Sequence, residues 1–481
     1  MSSALITWPA TASEVASPDY TLTVNGTAVF VYQACVRSQI HEHPGLWTHT
    51  QNCAAERTSF AIFDMAGPVS LAIRPQRTFT SATVLPSRAA LTPEVSDGAI
   101  YVHLLKPTHL TVLLDGSDEN PLHLFIGEPE IDAPKPGDPQ VIYFGPGVHE
   151  TNGIHVRSGQ TIYLAGGAVV KAKLMPETKP EVSDKWKVDI YNGAALDIRD
   201  VHDVRIAGRG ILDGTLIPHP GWNLIPIERS QRVNIEGIVL RDAPNWNIRI
   251  LESEDVTVKN VRIVSGRLNS DGINSVSSRR VSIRGCFVRN LDDGIVAKAT
   301  VQNSPCEDIL VEDCQLWSDW GYATGVTYET RSPVRRVRFE RCDILFVRHW
   351  CMGVYVSDGS TVSDVLFHDI RVANVASYIS CGGSYIQALI KRPPILMRLG
   401  IASDVWANDT ERGQIRHVVF HDVTVDGTSL PPSEFFGHDA EHTVDGVLLR
   451  HIQLNGRPPV IDSQGLRLTT NAFVHNVTIQ P

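Results

Sequence analysis

Asp271 and Asp293 each stand directly before a glycine, 22 residues apart, and Asp292 adjoins the second of them. If the chain between them makes one complete turn of a repeating coil, three carboxylates share a patch. Like charges a few ångström apart push at least one pKa upward. One protonated and one ionised carboxyl is what glycoside hydrolysis requires, an acid for the leaving oxygen and a base for water. A separation of about 6.5 to 9.5 Å leaves room for that water and inverts the anomeric carbon, and stacking over one to two coils suits this better than the closer retaining geometry. Asp-Gly pairs also form turns, and stacked aspartates bind Ca²⁺. Spacing alone leaves catalysis, turn formation and calcium open.

The elements that must hold these residues come from a repeat. Val204, Val233, Val256, Val281, Ile309, Val337, Val365, Val418, Val447 and Val477 each begin a triplet of apolar, any, apolar residues, at intervals of 29, 23, 25, 28, 28, 28, 53, 29 and 30. The interval of 53 reads as two periods or as one period with an insertion. Most triplets are followed by a second short strand, as in Val281-Ser-Ile-Arg-Gly-Cys-Phe-Val, which leaves no room for a crossover helix. A leucine-rich frame is absent. The pattern predicts a right-handed parallel β-helix, each coil about 4.8 Å above the last. Gly272, Gly294, Gly325 and Gly353 open strands in four consecutive coils and read as one ladder. Cys286, Cys314 and Cys342, 28 residues apart, read as small apolar filling of the interior.

Residues 1–135 have a different texture, with alternating strands such as Tyr20-Thr-Leu-Thr-Val and Leu110-Thr-Val-Leu-Leu and a Pro-rich close at Asp132 to Pro139. They predict an antiparallel β-sandwich packed on or capping the helix, so the fold class is all-β, with the β-helix spanning 140–481. Two insertions, 173–196 and 376–412, interrupt the period and are candidates for walls of a binding groove.

Composition excludes disorder, collagen and coiled coil. With 43 basic against 53 acidic residues the formal charge is −10, and no basic run offers a nucleic-acid groove. No stretch approaches the length of a membrane-spanning helix. The N-terminal segment lacks the basic flank and apolar run of a signal peptide, which gives the expectation of a cytoplasmic protein. Eight Cys form neither a CxxC pair nor a zinc-site spacing. His202, His368, His421 and His451 fall beside the triplets and read as turn residues.

Asn269-Ser-Asp271-Gly272 followed by Asp292-Asp293-Gly-Ile-Val-Ala-Lys298 resembles the N-T-D-G and D-D-C-x-A-I-K motifs of the polygalacturonases, glycoside hydrolase family 28. Gly208-Arg-Gly-Ile-Leu-Asp-Gly214, Ala243-Pro-Asn-Trp246 and Tyr328-Glu329-Thr-Arg-Ser-Pro-Val-Arg335 resemble its G-x-G-x-I-D-G, S-P-x-W and exo-type S-E-M-S-G-G-V-R stretches. A sandwich ahead of a β-helix, with Asn290-Leu-Asp-Asp293, is also similar to the dextranase and isopullulanase family, glycoside hydrolase family 49. Both are β-helical inverting hydrolases. The resemblance implies Asp292 as general acid and Asp271 and Asp293 as the residues that hold and activate water, with no cofactor.

Departures from the family pattern bear on the substrate. Where polygalacturonases have G-H-G, the chain reads Gly321-Tyr322-Ala323, and where they place R-x-K to clasp a uronate it has Tyr355 and Ser357. With those cations missing, a neutral oligosaccharide or polysaccharide is the expected partner. Asn269, Trp320, Tyr322, His349 and Tyr355 are its candidate binding surfaces, with Trp317 and Trp350 as core or rim. Lys298 and Glu329 occupy one strand offset in adjacent coils and form either an ion pair or sugar contacts. The Tyr328-Glu329 segment points to exo-action. Two other readings compete: a β-helix polysaccharide lyase or glycosyl-transferring enzyme, which would need a Lys or Arg base and a uronate, and a non-catalytic carbohydrate-binding protein.

Overall fold

Short β-branched strands separated by turn residues cannot bury an apolar face within one period, so each coil must be covered by the next. The computed structural model describes residues 5–37, 56–183, 189–373 and 394–481, and from Val141 onward its strands stack in parallel. All ten triplets lie in one column, Val204 on Val233 and so on to Val447 on Val477. Val365 pairs directly with Val418, so the long interval is one period with an insertion. Of the two predicted insertions, 184–188 and 376–393 lie outside the described residues.

Each coil has three faces. The triplet column forms the first. A second runs through strands such as Arg262–Leu268, Phe287–Leu291 and Gln315–Trp320. The third is an eleven-stranded parallel sheet that includes Ile273–Val276, Ile295–Ala299, Tyr322–Thr330, Trp350–Val356 and Ile395–Ile401. Between them lies a continuous apolar interior, in which Phe339, Phe367 and Phe420 stack with centroids 4.9 Å apart, one coil per ring. Cys286, Cys314 and Cys342 are fully buried in that interior, their thiols donating to carbonyls of their own and the preceding coil.

The chain ahead of the helix folds as two packed sheets. One is a five-stranded antiparallel sheet; the other has six strands, and within it Leu122–Gly127 runs parallel to Glu56–Met65. The six-stranded sheet lays its outer side along the second face of the helix rather than over an end. Phe125 meets Phe287 at 5.0 Å, and Trp317, fully buried in this seam, stacks on Phe346 at 4.5 Å. Polar ties cross the seam from Arg209 to Asp64 (2.9 Å), Arg289 to the Thr58 hydroxyl (3.0 Å), Arg348 to Asp118 (2.6 Å) and Arg88 to Asp369 (2.7 Å).

The predicted glycine ladder does not hold. Gly272 stacks on Gly294 and Gly325 on Gly353, but Ile295 pairs with Thr324, which puts Gly294 beside Ala323. The reason is a bulge: between the pairs Ala297–Val326 and Ala299–Thr330, the three residues Thr327, Tyr328 and Glu329 stand opposite the single Lys298. A bulge bends its strand and re-aims side chains. Tyr328 takes the cost, with φ at +55°, a conformation rare for a bulky residue.

Candidate active site

The corner between the second and third faces is where Asp271, Asp292 and Asp293 sit. Asp271 follows Arg262–Leu268, and the Asp292-Asp293 pair links Phe287–Leu291 to Ile295–Ala299. Asparagine amides brace each turn: Asn247 Nδ2 donates to the carbonyls of Ser270 and Asp271, and Asn290 Nδ2 to those of Asp292 and Asp293, all at 2.8–3.1 Å. Gly272 N–H donates to the Asp293 carbonyl one coil on (2.8 Å), which locks the register. One carboxylate oxygen from each aspartate lies within 4.8 Å of the others.

Each carboxylate has its own surroundings. Asp293 is buried and accepts from Tyr322 N–H (3.0 Å), the Thr327 hydroxyl (2.9 Å) and Lys298 Nζ (3.2 Å). Asp271, also buried, accepts from Asn274 Nδ2 (2.8 Å). Asp292 is the one partly open to solvent, with Oδ1 accepting from the Asp293 N–H (2.8 Å). Burial, followed by repulsion from Asp293, pushes its pKa up to about 7. Burial and the Asp292 charge raise Asp271 well above the carboxylate range, against the pull of Lys298. The cluster therefore retains a proton near neutral pH.

Lys298 completes it. Its ammonium donates to Asp293 and to Glu329 Oε2 (3.1 Å), and although burial disfavours its charge, Glu329 and the three aspartates raise its pKa. The ion pair and a place in the site are thus the same arrangement. The ammonium supplies positive charge among the aspartates. Trp246 faces it at 5.4 Å and Tyr328 at 5.5 Å.

A row of rings leads away along the third face. Trp320 stacks on His349 (4.6 Å), His349 on Trp350 (3.4 Å) and Trp350 on Tyr322 (4.6 Å). Tyr355 continues it beside Tyr328 (5.4 Å) and Phe436 (6.1 Å). Trp320 and Trp350 are partly exposed, Tyr355 and His349 nearly buried. Tyr322, expected as an open stacking face, has 0% exposure; it touches the site through its backbone N–H on Asp293. Asn269 sits at the turn with φ +58° and donates to Asn245 Oδ1 (3.2 Å).

Sequence reasoning missed several positioning residues, among them Asn247, Asn274, Thr327 and Arg398. Arg398 pairs with Gly353 in the next coil, and its guanidinium lies 4.5 Å from the Trp350 ring, 4.7 Å from Tyr355 and 3.8 Å from Glu434. It places a cation beside the aromatic row, at a position other than the two read as lacking one. Tyr355 and Ser357 do occupy the two positions read for them, Ser357 donating to Asp404 (2.8 Å). The described part of the second insertion is tied down here: Asp358 Oδ1 accepts from the N–H groups of Asn408 and Asp409, and Arg331 reaches Asp409 (3.1 Å).

The fold is a parallel β-helix with a lysine-centred carboxylate triad at one corner and an aromatic row beside it. Residues 220–391 match the family model described as Glycosyl hydrolases family 28. No match emerges among curated proteins. Dex49A from Penicillium minioluteum superposes with a TM-score of 0.58 at 11% identity, over 100% of this chain and 99% of that one. The hyperthermoactive exopolygalacturonase from Thermotoga maritima gives 0.53 at 18% identity, over 71% and 83%. These two likenesses establish the fold, and the family match supports an O-glycoside hydrolase.

Proposed function

We propose that the chain is an inverting, exo-acting hydrolase of a short α-linked neutral saccharide. Asp292 acts as general acid, and Asp271 and Asp293 hold and activate the water. The observation that carries this reading is the triad itself: Asp292, with a pKa near 7, opens to the groove, while Asp293 is held by three donors. In the step proposed, the Asp292 proton passes to the glycosidic oxygen as its bond to the anomeric carbon breaks. Water adds to that carbon, and its proton goes to the Asp271–Asp293 pair. Because two carboxylates share the water, the acid-to-base separation of a two-carboxylate enzyme does not apply to them.

Tyr355 and Ser357 at the cation positions support a neutral ligand, as does the acidic surplus of four carboxylates, with Glu329, over Lys298 and Arg398. Arg398 favours a second reading, a sugar carrying an acidic group near Trp350. Exo-action draws support from the tied-down segment around Asp404 to Asp409 at one side of the row.

One experiment tests all three clauses: wild-type chain on matched panels of neutral and uronate oligosaccharides, with NMR detection of the first-formed anomer. The expected result is a single small product of inverted configuration from a neutral substrate. Random internal cuts would remove exo-action, a retained anomer would remove the water assignment, and cleavage confined to uronates would move Arg398 into the binding site.

A further inference from the structure

Far from the carboxylate corner, where Thr361–Val372, Gln414–Val425 and Val444–Leu454 stack, histidines from three coils converge on one aspartate. His368 and His421 are Cα partners in adjacent coils, their rings stacked at 5.0 Å. Their Nε2 atoms lie 3.2 and 3.4 Å from the same atom, Oδ2 of Asp422. The other oxygen, Oδ1, accepts a 2.6 Å hydrogen bond from Nδ1 of His451. One atom each from His368, His421 and Asp422 falls within 4.8 Å of the others, and all four side chains are about one-third to two-fifths exposed.

We propose that this cluster is a binding site for a first-row divalent cation, best fitted by zinc, which clamps successive coils together. Two imidazoles and a carboxylate form a donor set that zinc takes, with water in a fourth position. The distances are compatible with this. Ligands at 2.0–2.1 Å from a tetrahedral ion stand about 3.3 to 3.4 Å apart. The two imidazole contacts with Oδ2, at 3.2 and 3.4 Å, lie close to that spacing, at and beyond the long end of the 2.7–3.2 Å of a direct N–H···O hydrogen bond. The contact on Oδ1 is short and direct, as expected of an outer group that orients a ligating carboxylate. Glu340, the Cα partner of His368 on one side, is held by Arg338 and Arg341, and Arg450 is the partner of His421 on the other. Asp369, in the coil before Asp422, is already held by Arg88.

The location gives the site a use. Val365 and Val418 are adjacent in space but 53 residues apart in the chain, so this is the coil junction with the longest loop to close. A cation bound only by the folded state stabilises it by mass action.

The full-length chain, stripped with chelator and dialysed against Zn²⁺, is expected to retain one zinc per chain and to unfold at a higher temperature than the stripped form. His421→Ala and Asp422→Asn are expected to lose that equivalent. His451→Ala should weaken affinity about 10- to 100-fold without abolishing it, and His202→Ala, at a surface His–Asp pair elsewhere, should change nothing. Co²⁺ in place of Zn²⁺ provides an independent readout in the wild-type chain, since tetrahedral coordination gives intense visible bands. No retained zinc, equal retention in His421→Ala, or a Co²⁺ spectrum without those bands would overturn the proposal.

Discussion

Aspartates stack at two corners of this solenoid, and they live under opposite conditions. At the turn leading into the first face, Asp203, Asp255 and Asp308 occupy left-handed positions in the same column as Arg232, Arg280 and Arg336. Each aspartate is paired with the arginine of the next coil at 2.7 Å, and those bonds hold all three carboxyls below their usual range. At the corner between the second and third faces, Asp271 stacks on Asp293 with Asp292 beside it, one lysine lies among them, and Asp271 and Asp293 are buried. Two of those pKa values rise. A turn aspartate is therefore not a functional signal by itself. Burial with too few partners separates the second corner from the first.

Removing the acid should give the largest effect. Asp292→Asn is expected to lower the rate of saccharide cleavage about 10²- to 10⁴-fold, the usual contribution of a positioned general acid, as measured by reducing-end release. Stability should move the other way. Because the folded-state pKa of Asp292 is raised, its favourable contribution is complete below the unfolded carboxylate value, about 4, and is lost as pH rises through about 7. Asparagine cannot ionise, so the variant should unfold later than wild type at pH 8 and lack part of the loss of stability between pH 4 and 8. A variant less stable than wild type at pH 8 would contradict the assigned repulsion. Wild-type cleavage should also fall as pH passes upward through about 7.

Lys298→Met comes next. It leaves Asp293 and Glu329 without their shared cation, and breaking a buried pair costs about 3 kcal/mol or more. The unfolding midpoint in urea should drop accordingly, and the alkaline limb of the pH–rate profile should move upward, since less positive charge opposes protonation of the triad. A stable variant with an unmoved profile would mean that the lysine is not the counter-charge. Gly321→Ala should be milder in stability but specific in effect. Gly321 has φ +74°, and a Cβ there would come within 2.7 Å of the Asp292–Asp293 peptide and 2.9 Å of Asp293 Oδ1, so the loss of stability comes from that one turn. Cleavage should fall through kcat, with the aromatic row still binding saccharide.

Much of this contrast was legible in the sequence. The triplet column and the three aspartates follow from period and residue type, because a stacked coil repeats its contacts at each turn, whereas Lys298 meets Glu329 because the bulge sets it opposite. What escaped breaks that repetition. Thr327 reaches Asp293 only through a bulge that adds two residues against one strand, and the same bulge turned four glycines into a false ladder. Arg398 lies within the 376–412 stretch read as an insertion, although that stretch contains the coil strand Ile395–Ile401. Asn247 and Asn290 have the right spacing, yet an asparagine beside a turn carries no mark of which backbone it will brace. The histidines around Asp422 looked like ordinary turn residues because they come from three coils, one of them across the longest interval.

The smallest effect is expected at the paired corner, and it completes the contrast. Arg280→Ala removes a guanidinium that bonds Asp255 through Nε at 2.7 Å and Glu254 through Nη2 at 2.8 Å. Its side chain is half exposed, so water and salt screen the pair, and long side chains lose rotamer freedom to form it. Cleavage should be unchanged, and the unfolding temperature should differ from wild type slightly at low ionic strength and not at all in concentrated salt. The two carboxylates left behind remain solvated, so nothing forces a proton onto them, in contrast to Asp271 and Asp292. A large, salt-insensitive loss in Arg280→Ala would mean that the charged ladder is as strongly coupled as the triad, and that burial is not what distinguishes the two corners.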